Sequence, residues 1–372
     1  MNIIKNIVKN IFNIPGYKTN RKLLLFVVDD YGSIRMSSKD AFTRLTDIGV
    51  NFEECRYSKF ETIESNTDLE ELFNVLLSVK DIHNNPAAFT PAVCVANPNF
   101  EKIRQNDFKE YFYEPFTETL KRYENHDRVF SLWEKGIELG IFVPQSHNRE
   151  HLNVRRWMSD LQNNVNVTKA AFKDNITSLS KEYTPMLNWD YQPALEIDTP
   201  SDIDAQHKII IEGLDLFEQL LGYKAIHFTP PNATINHALY KTLSDKGIRL
   251  IDSPRIENET IGHNEFKRHY HFIGQNTKFN QRYLVRNAVF EPNDNKNFDS
   301  IQRCLSDVEN AFKFKQPAII SSHRANYAGH LNPANREDSL MQLSTLLKTI
   351  KKRWPDVEFI TVKELAKMML DK

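Results

Sequence analysis

Cysteine is scarce in this chain: three in 372 residues, at Cys55, Cys94 and Cys304. An odd number at distant positions excludes a disulfide framework and a cysteine-based zinc pattern, and it suits a reducing compartment. An excess of one charge is also missing. The 48 Lys and Arg against 49 Asp and Glu leave a formal net charge of −1, so no strong basic face is available for nucleic acid. No apolar run is long enough to cross a bilayer. There is no repeat of fixed period, no low-complexity tract and no clear linker. The first residues, "MNIIKNIVKNIFNIPGY", lack a small-residue cleavage site and make a poor signal peptide. Ile3, Ile4, Ile7, Val8, Ile11 and Phe12 fall on one helical face. This predicts an amphipathic helix within residues 1–20, which packs on the domain body or touches a membrane surface through residues 1–16. With no export signal, the expected location is the cytoplasm, or the inner face of a membrane. What remains is an ordinary globular composition, 40% hydrophobic and 26% charged, with ample material for a core.

Apolar strand-like runs alternate with helical patterns from "KLLLFVV" to "VEFITVKELAKMML". Strict β–α alternation predicts a parallel sheet with helices outside. The number of units favours a barrel-like closure. The expected fold is therefore a distorted (β/α) barrel of about seven parallel strands with outer helices, formed by residues 21–372 as one domain. The segment from Asp174 to Thr199 is irregular, and a loop of that length is uncommon unless it covers a site.

In such folds functional groups gather where strands end. The first strand ends in "FVVDDYGS", with Asp29 and Asp30 adjacent. Two neighbouring carboxylates repel, and a divalent cation would offset that repulsion. "IFVPQSHNREH" ends in His147 and His151, whose i, i+4 spacing would stack them on one face of a helical turn. "AIISSHR" ends in His323, with Arg324 next to it. A histidine there can serve as a general acid. Other strand ends supply Asn232, Asp252, Arg255 and Glu291. Carboxylates and histidines at one end of one sheet make a metal site the natural reading.

These elements, in this order, resemble the polysaccharide deacetylase superfamily, the NodB-homology carbohydrate esterases, and suggest a bacterial branch of it. Its first motif, a strand ending in a double aspartate, is matched by Asp29 and Asp30. Its second, His-Ser/Thr-x-x-His, is matched in spacing by His147 and His151, with Asn148 in place of the hydroxyl residue. Its last, a strand ending in a catalytic histidine, is matched by His323. Two departures stand out. The arginine expected before a proline is absent from "HFTPPNAT", where Thr229 stands and Asn232 is the nearest substitute. The aspartate–tryptophan pair that tunes the acid histidine has only Asp252, with Arg255 close by.

The resemblance implies metal-dependent removal of an acetyl group from an N- or O-acetylated saccharide. Asp30, His147 and His151 would hold a divalent metal, zinc first, with nickel or cobalt as alternatives. Asp29 would be the base and His323 the acid, with a backbone N–H near Tyr31 as oxyanion donor. Asn232, Asp252, Arg255, Glu291, Arg324 and Trp189 are candidates for contact with the sugar. Three rival readings share the sequence. "HNREH" also fits an HxxEH metallopeptidase with Glu150 as base. Asp29 with Glu291 or Asp252 could form a glycosidase pair. The altered third and fourth motifs also fit a non-catalytic sugar-binding protein.

Overall fold

A computed structural model of the chain describes residues 13–294 and 299–370. The helix expected near the N-terminus falls largely outside them, as does most of the segment expected to touch a membrane. Residues 13–20 form turns and irregular chain. Among the described residues no helix is long and apolar enough to cross a membrane.

The strand Lys22–Tyr31 sits at the centre. Its side chains from Leu23 to Val28 are each at most 1% exposed. Burial on both faces is why it reads as a continuous apolar run. Each large aliphatic or aromatic side chain buried there contributes about 1.5–3 kcal/mol. Hydrogen-bonded neighbours follow in the order Arg282–Leu284, Leu250–Asp252, His227–Phe228, Gln145–Ser146, Phe89–Val93, Lys22–Tyr31, Ala318–His323 and Ala288–Val289; Val357–Phe359 pairs with the start of Lys22–Tyr31. Every pairing in this sheet is parallel. The sheet curls into a distorted barrel with helices around it, with nine strands where about seven are expected from the β–α alternation.

The stretch "RYLVRNAVFEP", strand-like by its apolar and β-branched residues, forms two short strands, Arg282–Leu284 and Ala288–Val289. These are the two ends of the pairing order, and no ladder joins them among the described residues. Arg286 lies in the three-residue break between them, at the barrel's open seam.

Outer helices follow their local signals. Asn66–Leu77 starts at a capping box made by Ser65 and Asp68 and buries Leu69, Leu72, Phe73 and Leu76, a stripe of helical period. Asp202–Leu221 ends at Gly222 in the left-handed conformation. A smaller apolar cluster, including Phe52, Phe100, Trp157, Phe172, Leu187 and Tyr191, sits beneath the irregular segment between Asp174 and Thr199.

The register between Lys22–Tyr31 and Phe89–Val93 shifts between Val28 and Tyr31. Gly32 follows at φ +78, and a Cβ there would meet the Cys94 carbonyl oxygen at 2.2 Å. Gly32→Ala is therefore expected to cost at least about 2 kcal/mol through backbone strain and collision, read as a lower denaturant midpoint at unchanged m-value.

Candidate active site

Adjacent residues in a regular strand point to opposite faces. Asp29 and Asp30 nonetheless both line one cavity of about 680 Å³ at the C-terminal end of the sheet. The irregularity after Val28 and the positive φ of Asp30, +82, break the alternation. A non-glycine residue held there costs roughly 1–3 kcal/mol, strain of a kind that collects at functional sites.

Asp30 meets His147 and His151. The Asp30 Oδ1 atom lies 3.5 Å from the Nε2 atom of each, and the two rings are 5.0 Å apart. One ligand atom from each of the three lies within 4.8 Å of the others. The histidines do not sit on a helical turn as their spacing suggests. Asn148 takes a positive φ, +77, which turns the chain out of helical geometry, and the next helix begins only at Val154, capped by Asn153.

The donor set fits a cation. His147 Nδ1–H donates to the Thr229 carbonyl at 2.8 Å, which leaves the Nε2 lone pair facing Asp30. His147 Nε2, Asp30 Oδ2 and His151 Nδ1 are all buried without a hydrogen-bond partner. Burial and the nearby Arg35 push the His151 pKa well below that of a free imidazole, so the ring is neutral and can ligate. Burial opposes the Asp30 charge, but Arg35 and His147 outweigh it and hold its pKa well below the usual carboxylate value. Arg35 donates to Asp30 Oδ1 at 2.9 Å and leaves Oδ2 free.

Asp29 engages a different set of partners in the same cavity. Arg286 grips it with two parallel hydrogen bonds of 2.7 Å and, through Nε, holds Asp252 at 2.7 Å. Asp29 also lies 3.8 Å from His323 Nε2, and the two are register partners in neighbouring strands. His323 Nδ1 is hydrogen-bonded to Glu291 at 2.6 Å. Glu291 in turn accepts from Arg56 and Asn326, both at 2.7 Å. Burial would lower the His323 pKa, but Glu291 chiefly, with Asp29 and Asp30, raises it to about 9. His323 is thus a cation at neutral pH, with Nε2 toward Asp29.

Several expected sugar contacts are placed elsewhere. The Tyr31 ring packs edge-on against Trp133 and Phe142 in the core, so any part for this residue falls to its backbone, as the oxyanion reading has it. Arg324 is fully buried and bonds Glu61, Glu64 and the Ser33 carbonyl. Trp189 donates from its indole N–H to Asp160 and pins the irregular segment. Glu291 sits behind His323. Asp252 does line the cavity, with its carboxylate engaged by Arg286. Asn232 and Arg255 also line it, and Arg255 donates to Asn13 at 2.9 Å. Glu150, the base of the metallopeptidase reading, is locked in a double ion pair with Arg149. The irregular segment covers the site as expected, with Ser178, Tyr183, Asp190 and Gln192 in the cavity wall.

Sequence reasoning missed Arg286, Arg35 and Arg56. A positive charge inside the apolar run "RYLVRNAVF" was the one available sign of Arg286.

No family model matches the chain, and no curated protein matches it in sequence. Solved structures do. A candidate polysaccharide deacetylase from Mycobacterium smegmatis aligns at TM-score 0.45 and 10% identity, over 95% of this chain and 92% of that one. A family 4 acetyl xylan esterase from Clostridium thermocellum, in complex with a cobalt ion, aligns at TM-score 0.37 and 11% identity, over 93% and 91%. A 4-alpha-glucanotransferase from Thermococcus litoralis aligns at TM-score 0.47 and 10% identity, over 95% of this chain and 41% of that one. The chain is similar to polysaccharide deacetylases.

Replacing Glu291 by Gln removes the negative charge that holds the His323 proton. The His323 pKa, about 9 in the intact protein, should move down toward the free-imidazole value near 6.5. A histidine NMR titration that leaves it unmoved would contradict this coupling.

Proposed function

We propose that this chain is a metal-dependent hydrolase of the polysaccharide deacetylase kind, removing an acetyl group from an N- or O-acetylated saccharide. The observation that carries the reading is the meeting of two separate devices in one cavity: a cation-ready triad, Asp30, His147 and His151, and an acid–base pair, Asp29 and His323. Asp30, His147 and His151 would hold a divalent ion. Bound there, such an ion would polarise the acetyl carbonyl and acidify the attacking water.

The remaining steps belong to the chain's own residues. Asp29, with its plane set by the Arg286 fork, takes the proton from the attacking water. His323, charged through Glu291, gives a proton to the departing amine or alcohol. The wall made by the irregular segment limits water access and bounds a space suited to a sugar ring. Arg286 supplies a positive charge against Asp29, the place the chain lacks before Pro230. Glu291 supplies the carboxylate that tunes His323. The two altered motifs that favoured a non-catalytic protein thus have counterparts from the segments on either side of Ala288–Val289. The glycosidase reading is weakened, because Asp29 and Asp252 share one guanidinium and Glu291 is spent on His323.

Acetate release from a panel of N- and O-acetylated oligosaccharides tests the proposal. Asp29→Asn and His323→Ala should each lower kcat/KM by about 10²–10⁴-fold. New reducing ends without acetate would support the glycosidase instead. Chelation should abolish acetate release, and zinc, cobalt or nickel should restore it. Turnover that persists in metal-free protein would overturn the proposed metal dependence.

A further inference from the structure

The loop after Leu250–Asp252 carries a two-stranded antiparallel hairpin, Ile256–Gly262 with Glu265–Tyr270. Glu257 and Glu259 lie two residues apart and so share one face. His269 is the direct cross-strand partner of Glu257, and His271 follows two residues later on the same side. His237, on the short turn His237–Leu239, closes the cluster. Its backbone N–H donates to Glu259 Oε1 at 2.9 Å. Three imidazoles and two carboxylates thus meet on a face that the proposed hydrolysis does not use.

We propose that His237, Glu259 and His269 form a second divalent-cation site, suited to zinc or an ion of similar softness, with Glu257 as the carboxylate that orients His237. One ligand atom from each of the three lies within 4.8 Å of the others. Glu257 is buried and accepts from His237 Nε2 at 3.0 Å and from His271 Nε2 at 2.6 Å. With its Nε2 proton committed to Glu257, His237 presents the Nδ1 lone pair to Glu259 Oε2, 3.7 Å away. That separation is too long for a hydrogen bond. It is close to the roughly 3.3 Å between two ligands on one tetrahedral zinc.

A carboxylate on the far nitrogen of a ligating histidine is the usual support of such sites. Glu259 Oε1 is held by the His237 amide, so its Oε2 atom stays directed at the two rings. His269 Nε2 is 2.7 Å from Glu259 Oε2; an ion would take the place of the proton between them and release it to solvent. The His237 and His269 side chains are 25% and 22% exposed, so an ion can enter and water can complete its coordination. Two histidines and one carboxylate match the ligand preference of zinc.

The site would brace the cavity wall. It ties the turn at His237, shortly after the cavity-lining Asn232 and Ala233, to a hairpin that begins directly after the cavity-lining Pro254 and Arg255. This inference stands apart from the hydrolase reading, and its test separates the two.

Full-length protein without a histidine tag is saturated with zinc, desalted and analysed for bound metal. Asp30→Ala combined with His147→Ala empties the cavity triad, and that protein should keep one zinc per chain. Adding His237→Gln and His269→Gln should lower this to none, with circular dichroism unchanged. In the Asp30→Ala, His147→Ala protein, zinc should also slow amide exchange across residues 256–270 about tenfold or more. This second readout decides the matter if the fourfold variant does not fold. Absence of zinc from the Asp30→Ala, His147→Ala protein, zinc that survives all four changes, or unaltered exchange in the hairpin would each overturn the inference.

Discussion

A single guanidinium at the barrel seam makes this site sustainable. Arg286 bridges Asp29 and Asp252, two carboxylates that the fold removes from bulk water. Unpaired, they would repel each other and resist burial, and removal of one member of such a group typically costs about 3–5 kcal/mol. The planar fork also fixes the Asp29 carboxylate in orientation, which a lysine could not do. The position follows from the open seam. Where the two edge strands do not pair, the chain between them is free to turn a long side chain inward across the top of the sheet.

The same logic answers the repulsion within the double aspartate. Asp29 and Asp30 each have their own arginine, Arg286 and Arg35, within the one cavity that the irregularity after Val28 lets them share. One carboxylate is thereby dedicated to the acid histidine and the other to the imidazole pair. Around His323 a further chain of charges sets the proton: Arg56 holds Glu291, and Glu291 holds His323. Glu291 is kept ionised against its burial, with its pKa lowered to about 2 by His323 and Arg56.

Some of this was legible in the residue order. Parallel β–α alternation and acids and histidines at strand ends are local signals, and the elements and the grouping of Asp29, Asp30, His147, His151 and His323 agree with them. Where reading stopped, the cause was non-local. "RYLVRNAVF" reads as one strand, and only the tertiary pairing divides it at Arg286, with Arg282–Leu284 beside Leu250–Asp252 and Ala288–Val289 beside Ala318–His323. His147 and His151 have helical spacing, yet a left-handed Asn148 brings them together in a loop. Trp189 and Arg324 lie in or flank functional stretches, but packing turns the first to an apolar cluster and Asp160 and the second to Glu61 and Glu64.

By itself the sequence determined which residue types stand at the ends of which strands, because periodicity and capping act over a few residues. Only the tertiary structure decided which charge neutralises which. Arg286 and Asp29 are separated by 257 positions, as are the members of many other pairs by tens or hundreds, and ion-pair energy depends on distance and burial in the folded barrel. No local propensity carries that information.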